Sequence, residues 1–380
     1  AIGSSFFCAP TAAGYATLQA TPGLNQANFQ AFQQIVGTAA TQASTDPNNP
    51  GNCNAFTAGL KSLKGTGPKA QLGEIDFTPR ASNNTYTSVN SVDVNLSDKD
   101  QIRGRYIYQK NDQTDISSNL ASFFTAIPAR NHLLTLSEYH TFTPTLTNEF
   151  RVGFNRFTQD IPAGNFSFPG TDSFPNLSFD DTGNPTGDQI GPDPNAPQFT
   201  VQNLYQATDN IDWVKGKHNL KFGIEGRKYI SPQGFTQRAR GDYEYFSIED
   251  FMADVVPTSF GQRSTGSNTY YGDQSAIYIY GNDSFRITQN LTINAGLRWE
   301  FTSVPFTERL QSLNSAASVP GLINFTSPQP QYKNFAPRLG FAYSPGTSGN
   351  TSIRGGFAMA YDVLYDNLGL LAVPPQFGGT

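Results

Sequence analysis

The sequence predicts an all-β fold, an antiparallel up-and-down transmembrane β-barrel of which about ten strands are present. Three observations predict it: apolar and polar residues alternate with a period of two over most of residues 83–363, the alternating runs reach ten residues or more, and short and long connections follow one another in turn. Strands average about five or six residues in globular proteins, whereas a strand that crosses a bilayer needs about 9–11. Run length therefore favours membrane-spanning strands over a soluble sandwich.

The composition excludes several other classes of protein. Charged residues make up 14% of the 380 residues, about half the share usual in soluble proteins, and 13% are aromatic, which is too many for a disordered chain. The formal net charge is −5 and no long basic run occurs, so we expect no nucleic-acid partner. No stretch approaches 18 consecutive apolar residues, so a membrane role must come from strands.

Residues 1–82 form a block rich in small residues, with one predicted helix. Between Leu24 and Ala43 the large apolar residues recur at spacings of three and four, which is typical of an amphipathic helix. We predict that this block is one long extracellular loop. With so few large apolar residues, it should bury little core of its own.

The chain has two cysteines, Cys8 and Cys53, and both lie in this N-terminal block. A distant pair without His or Cys companions favours a disulfide over a metal site, and hence an oxidising compartment. Because the pair flanks the predicted helix, the bond would close the loop around it. Two free thiols remain the alternative.

Ten alternating runs are the candidate strands, near residues 85–97, 101–112, 131–143, 147–159, 199–213, 218–231, 270–285, 290–304, 334–344 and 351–363. Tight turns join the members of each successive pair, while long loops rich in Gly, Pro, Asn and Asp fill 113–130, 160–198, 232–269 and 305–333. This asymmetry is typical of outer-membrane barrels, whose periplasmic turns are tight and whose outward loops are long. We assign 83–363 to the barrel and 364–380 to the start of another outer loop, and we expect a short packing helix from Ile248 within the third loop.

Charged residues on the strands predict which face lines the lumen. An Arg or Lys that points into lipid at the midplane costs about 2–4 kcal/mol, so strand charges should lie on the opposite face. Ten charged residues have the parity that this rule requires: Arg103, Arg105, Arg151, Lys221, Glu225, Arg227, Arg298, Glu300, Arg338 and Arg354. Glu138 breaks the rule because it shares parity with Leu134 and Leu136, so we expect that strand to be bulged, irregular or misassigned.

Glycines on the predicted lumenal face bear on whether the sheet closes. A ten-stranded barrel would close around a narrow interior filled with side chains. Here long charged residues alternate with Gly223, Gly296 and Gly340, which fits a plug or a wide lumen better. We therefore expect a curved, partly open sheet in which the first and last strands do not pair.

Several strings along the strands resemble one family. Trp213–Glu225 reads W-x-x-G-x-H-x-x-K-F-G-x-E and Asn334–Tyr343 reads N-x-x-P-R-x-G-x-x-Y, with Arg-Gly-Gly following from Arg354. With Asp98–Tyr106 and Asn290–Glu300, these strings resemble the strands of TonB-dependent receptors, in particular the Oar-like group. They occur in family order over residues 83–363.

The resemblance implies an outer-membrane barrel of about 22 strands with an N-terminal plug, located in a Gram-negative cell. It implies import of a scarce nutrient of the siderophore, oligosaccharide or peptide class. The implied partners are outer-membrane lipid, the nutrient, and an energy-coupling complex of the TonB type that acts through the plug region. No plug, coupling box or final aromatic-ended strand is present here, so we expect a middle portion of such a receptor. A non-transporting adhesin or a porin-like barrel is the alternative.

The remaining motifs predict no enzyme, cofactor or metal. His132, His140 and His218 are scattered, and the first two lie eight residues, or about 26 Å, apart on one predicted strand. Asp-rich residues 180–193 offer oxygen ligands for Ca²⁺ but lack the spacing of an EF-hand, so we interpret them as a solvated loop. A ten-stranded protease barrel would need Asp and His together at the outer rim, and the histidines have no evident Asp partner there.

Overall fold

The computed structural model describes residues 5–40, 53, 70–77, 81–118, 120–168, 173–180, 188–266, 268–307, 319–322, 328–346, 350–363 and 376–379. The helices are α1 (Ala12–Gln19), α2 (Gln26–Val36) and α3 (Ile248–Met252), with a 3₁₀ turn at Ala121–Phe123. The strands of the first half are β1 (Ser5–Pro10), β2 (Leu72–Phe77), β3 (Asn83–Asn95), β4 (Asp100–Asp115), β5 (Thr125–Thr143), β6 (Leu146–Ile161), β7 (Asn176–Phe179), β8 (Asp188–Ile190) and β9 (Gln198–Lys215). Those of the second half are β10 (His218–Ile230), β11 (Pro232–Phe235), β12 (Asp242–Tyr245), β13 (Phe260–Gly266), β14 (Thr269–Tyr271), β15 (Gln274–Arg286), β16 (Leu291–Thr302), β17 (Asn334–Tyr343), β18 (Ile353–Ala358) and β19 (Gln376–Gly379).

Ten long strands form one antiparallel sheet in the order β3-β4-β5-β6-β9-β10-β15-β16-β17-β18. Each pairs with the next long strand along the chain, as an up-and-down barrel requires. All ten predicted strands are confirmed. The largest differences in their bounds are an earlier start for β5, at Thr125, and an earlier end for β18, at Ala358.

One face of this sheet is largely apolar, because directly paired residues share a face and large apolar residues recur at alternate positions along most of the strands. Across four neighbouring strands, Ile224 pairs with Ile279, Ile279 with Trp299, and Trp299 with Phe335. Ile224, Ile279 and Phe335 are each about half exposed. A continuous exposed apolar surface of this kind is typical of strands that contact lipid.

The sheet is open. β3 and β18 lie at its two ends, and within the described residues each has one neighbouring long strand, so the predicted absence of a closing ladder is confirmed. A ladder that spans a membrane must close to satisfy its backbone groups, so both edges require further pairing.

The predicted irregularity is present in β5, but it lies beyond Glu138 and does not account for it. β5 pairs with β6 without interruption from Ala129 to Thr141, and the one register shift lies between Thr141 and Thr143, beyond Glu138. Glu138 therefore lies on the apolar face with Leu134 and Leu136, and the strand is regular around it.

The long loops are more structured than their composition indicates. Strands β7, β8, β12 and β13 come from the predicted loops 160–198 and 232–269 and pair into a second sheet of order β19-β13-β12-β7-β8. The predicted packing helix is confirmed as α3, which is buried. Residues 364–375 of the predicted C-terminal loop lie outside the described residues, and β19 pairs with β13.

The N-terminal segment contains two helices where one was predicted. Thr11 caps α1 by accepting a hydrogen bond from the Gly14 backbone, and Asn25 caps α2. α2 ends at Gly37, whose φ of 83° is favourable for glycine alone. The predicted disulfide between Cys8 and Cys53 is confirmed, with 5.5 Å between the Cα atoms. Among the described residues, no helix is both long enough and apolar enough to cross a membrane.

The described part of residues 1–82 does not rely on a core of its own, because it shares one with the loops. Phe32 of α2 contacts Phe179 and Phe251, with ring centroids 5.6 and 6.3 Å apart. Hydrogen bonds join the same parts: the Asn25 backbone donates to Met252 over 2.7 Å. We call this assembly of α1, α2, α3, β7, β8 and β12 the cap. Its strands β7 and β8 belong to the loop between β6 and β9, and β12 and α3 belong to the loop between β10 and β15. The cap is therefore connected to the long-loop ends of these strands.

Candidate functional site

The strand register brings all ten predicted charged residues to the face opposite the apolar one. Arg151 pairs with Thr208, Thr208 with Glu225, and Glu225 with Tyr278, so a polar row crosses β6, β9, β10 and β15. Tyr278 in turn pairs with Glu300 on β16. We call this side of the sheet the polar face.

Three Glu–Arg ion pairs lie on the polar face, one each on β6, β10 and β16. On β6, Arg151 pairs with Glu149, and on β10, Arg227 pairs with Glu225. On β16, Nε of Arg298 lies 2.7 Å from Oε1 of Glu300. In each case the two residues are two positions apart, which places them side by side on one face of a strand. The pairs are partly buried, so each guanidinium compensates a carboxylate that is largely withdrawn from water.

Tyr278 links two of these pairs. The guanidinium of Arg227 lies 5.1 Å from the ring centroid and that of Arg298 lies 4.4 Å from it. Tyr278 is 4% exposed, although it belongs to an open sheet face, because the two arginines cover its ring. Cation–π contacts of this type contribute about 0.5–2 kcal/mol each, more where they are desolvated.

A second network extends the first pair toward β15. Tyr280 donates its hydroxyl hydrogen to Oδ1 of Asn210 over 2.8 Å, and Asn210 donates from Nδ2 to Glu149 over 3.2 Å. Gly223 lies between them, and a Cβ at that position would come within 2.5 Å of both Tyr280 and Asn210. The glycine therefore leaves the space in which the tyrosine crosses β10.

Beside this network the polar face holds a charged cavity of about 530 Å³. We call it the lower cavity, because it lies nearer the short-turn ends of the strands than the other cavities on this face. Its lining includes Arg151, Lys221, Glu225, Arg298 and Arg338, so positive side chains outnumber the negative one. Nζ of Lys221 also lies 3.4 Å from Asp212 on β9. The lower cavity is suited to anionic or strongly polar groups.

Two further cavities, whose lining is mostly uncharged but includes Asp362 in both, lie on the polar face at the long-loop ends of the strands. One of about 510 Å³ is lined by residues such as Asn155, Gln202, Tyr229 and Gln274, and its neighbour of about 260 Å³ shares Gln274 with it. We call them the upper cavities. Buried Oδ1 atoms of Asn155 and Asn334, one in each lining, have no hydrogen-bond partner among the described residues. A ligand with hydroxyl or amide donors would satisfy them.

The four other predicted residues lie on β4, β17 and β18. Arg103 lies 4.9 Å above the ring of Tyr139 and reaches Asp93 at 4.0 Å, and Arg105 is exposed. Arg338 joins the lower cavity, and Arg354 donates to Ser352. The structure therefore brings together the charges on β6, β10, β16 and β17, and leaves those on β4 and β18 apart from them.

Sequence reasoning missed the residues that organise this face. Glu149, Asp212 and Tyr278 belong to it, yet only parity within single strands was used to find candidates. The repeated spacing of two between an acidic residue and an arginine was a usable signal. The contacts across strands needed the register.

Two of the three scattered histidines have acidic partners, and both partners lie at the short-turn ends of the strands rather than at the outer rim. Nδ1 of His140 lies 2.5 Å from Asp100, with Glu138 beside them, and Nδ1 of His218 lies 2.7 Å from Asp283. His132 instead meets the Tyr106 hydroxyl at 2.8 Å. All three histidines are on the apolar face, because they pair with Asp100, Phe285 and Tyr108 rather than with residues of the polar face.

In the cap, one predicted solvated acid is buried. Asp188 is fully buried and accepts a hydrogen bond from the Cys8 backbone over 3.0 Å, so it fastens β8 to β1 rather than contacting solvent. Burial raises the pKa of the Glu244 carboxyl, and the nearby carboxylates of Asp242 and Asp180 raise it further. Burial also raises the pKa of Tyr245 to about 12.

A ten-stranded antiparallel meander with one apolar exposed face and one polar face defines the chain as part of a membrane β-barrel. A family model described as "Outer membrane beta barrel domain" matches residues 5–380. The chain belongs to this family and is located in the cell outer membrane. No curated protein matches the chain.

Solved structures similar to the chain include outer-membrane transporters and receptors. The outer membrane transporter YddB from Escherichia coli is 11% identical, with a TM-score of 0.47, over 75% of this chain and 32% of that one. FpvA from P. aeruginosa, bound to pyoverdines, is 12% identical, with a TM-score of 0.45, over 73% and 35%. The siderophore receptor PiuA from Acinetobacter baumannii is 13% identical, with a TM-score of 0.45, over 76% and 44%. The chain spans about a third of the length of the first two.

Proposed function

We propose that the chain is part of a TonB-dependent receptor barrel that imports a scarce nutrient across the outer membrane. The observation that carries the proposal is the polar face, where ion pairs and cavities continue from β6 to β17 while the opposite face is apolar. The strings of residues that resemble TonB-dependent receptors lie on these same strands, at Trp213–Glu225 and Asn334–Tyr343.

The polar face lines the lumen in this proposal. Charged side chains in lipid cost up to about 4 kcal/mol, whereas a water-filled or plugged interior hydrates or pairs them. Two open sheet edges, at β3 and β18, require further strands, so the lumen is wider than ten strands would enclose. A polar plug could then contact the three Glu–Arg pairs.

The nutrient first meets the upper cavities and then the lower cavity. The upper cavities lie where the strands end at the long loops, and their unpaired acceptors on Asn155 and Asn334 suit a ligand with hydroxyl or amide donors. The charged lining of the lower cavity lies further along the same strands. The siderophore, oligosaccharide and peptide classes all carry such donors.

The cap lies outside the cell in this proposal, and residues 1–82 form an extracellular segment. In support, α2 shares a core with α3 and β7, and these two elements belong to the long loops. The disulfide between Cys8 and Cys53 is consistent with an oxidising compartment.

Uptake measurements test the proposal. Cells that express the intact protein are given ferric siderophores, oligosaccharides and peptides, each radiolabelled, with and without a protonophore. The proposal predicts accumulation of one class that collapses with the protonophore, because energy coupling depends on the inner membrane. Uptake that persists without energy would indicate a porin-like barrel, and binding without uptake would indicate an adhesin.

Single-channel recording independently distinguishes a receptor from a porin-like barrel. In a planar bilayer a receptor with a plug should show no steady open conductance. A stable open channel would contradict the proposal and favour the porin-like barrel.

A further inference from the structure

Among the described residues, the apolar face carries one compact group of metal-ligating side chains. His140 and Glu138 on β5 and Asp100 on β4 each offer one ligand atom, and these atoms lie within 4.8 Å of one another. The register explains the grouping: Asp100 pairs directly with His140, and Glu138 follows two residues away on the same face. The group joins two adjacent strands at their short-turn end.

The apolar side chains around this group raise the free-energy cost of its negative charge. Leu134 and Leu136 continue the same face of β5, and Phe150 is paired with Glu138 from the other side. Phe150 in turn pairs with Asp209, which accepts a hydrogen bond from Asn148. Two carboxylates beside one imidazole, with a third carboxylate nearby, leave an excess of negative charge on a surface that contacts lipid. A cation would remove that excess.

We propose that Asp100, Glu138 and His140 bind a divalent transition-metal ion. One imidazole and two carboxylates are a donor set that suits Zn²⁺, whose bonds to N and O are about 2.0–2.2 Å. Donors around one such ion lie up to about 4 Å apart, so small side-chain rotations from the present separations form the site. Because the group lies at the short-turn end of the strands, water or a lipid headgroup would supply the fourth ligand.

The residues around the group hold two of the ligands in place. Ser97 donates its hydroxyl hydrogen to Oδ2 of Asp100 over 2.5 Å, which fixes the carboxylate while Oδ1 faces His140. The ring of Phe142 packs edge-on against His140, with centroids 4.3 Å apart. Outer contacts of this type orient metal ligands in proteins. The bound ion would clamp β4 to β5, and the inference is independent of whether the barrel transports a nutrient.

Zinc titration of the intact protein tests the site. The protein is extracted from outer membranes in detergent, stripped with a chelator, and titrated calorimetrically with Zn²⁺ alone and then, as a spectroscopic probe, with Co²⁺. We expect one ion per chain and a visible Co²⁺ spectrum with imidazole ligation. His140→Ala should weaken Zn²⁺ binding by more than about tenfold, and so should the nearly isosteric Glu138→Gln.

Two other histidines supply matched controls. His132→Ala changes the same strand and face but removes a ring that bonds a tyrosine hydroxyl, and His218→Ala removes a ring paired with one carboxylate. Both should bind Zn²⁺ as the unsubstituted protein does. Absence of stoichiometric binding, equal binding by His140→Ala and Glu138→Gln, or loss on His132→Ala would each overturn the proposal. The unchanged folded mobility of Glu138→Gln in an unheated SDS gel shows that a loss is not unfolding.

Discussion

Phe251→Ala should weaken the packing of the N-terminal helices against α3, β7 and β12 within the cap. Phe251 is 4% exposed, and its ring contacts those of Phe32, Phe179 and Tyr245 at 5.6–6.3 Å. Removing a buried Phe side chain costs about 3–5 kcal/mol, and each tenfold change in an equilibrium corresponds to about 1.4 kcal/mol. The fraction of molecules in which these contacts are open should therefore rise from about 10²-fold to about 4 × 10³-fold.

Limited proteolysis measures that opening. The intact protein in detergent is digested at low protease concentration, where cleavage follows the population of the open state. Phe246→Ala is the matched control, since Phe246 lies in the same loop but is 53% exposed. It should be cleaved at the rate of the unsubstituted protein. Equal cleavage of Phe251→Ala and Phe246→Ala would refute the shared core, whereas loss of folded gel mobility in Phe251→Ala would show that the ring supports the barrel instead.

Three further outcomes are expected. Because the folded-state pKa of Glu244 is raised, cap stability should increase as pH falls toward that pKa, and Glu244→Gln should make the cap more protease-resistant at pH 7 and less pH-dependent. Reduction of the disulfide, whose cysteines are 45 positions apart, should cost the N-terminal segment about 4 kcal/mol and speed its proteolysis without unfolding the sheet. Arg298→Ala should leave Glu300 without its cation, cost about 2 kcal/mol, and lower the temperature at which folded gel mobility is lost, whereas the exposed Arg103→Ala should not.

The sheet could be predicted from the sequence because its signal is local. Alternation along a strand such as Leu291–Thr302 follows from having lipid on one side and polar groups on the other, and it needs no knowledge of neighbours. Parity alone then placed Arg298 and Glu300 on one face. The same reasoning correctly marked Glu138 as anomalous, but attributed the anomaly to the backbone, while the structure shows a regular strand with a charge on its apolar face.

The cap could not be predicted because its contacts are distant in sequence. Phe32 and Phe251 are more than 200 positions apart, and neither short segment has enough apolar surface to predict a core alone. The Gly- and Pro-rich composition of the loops hid β7, β8, β12 and β13, whose sheet is joined across the two loops by the pairing of β7 with β12. Register-dependent contacts, such as Arg227 and Arg298 on Tyr278, were hidden for the same reason.

The central claim is that the two faces of the sheet meet different surroundings, and β10 tests it most directly. Single cysteines at positions 220–222 and 224–227 carry a nitroxide label, and paramagnetic resonance in reconstituted bilayers measures access to oxygen, which partitions into lipid, and to a water-soluble nickel chelate. The native cysteines are joined in a disulfide and do not compete for the label. Labels at positions 221, 225 and 227 should favour the nickel chelate, and those at 220, 222, 224 and 226 should favour oxygen. Access without a period of two, or with the opposite phase, would contradict it.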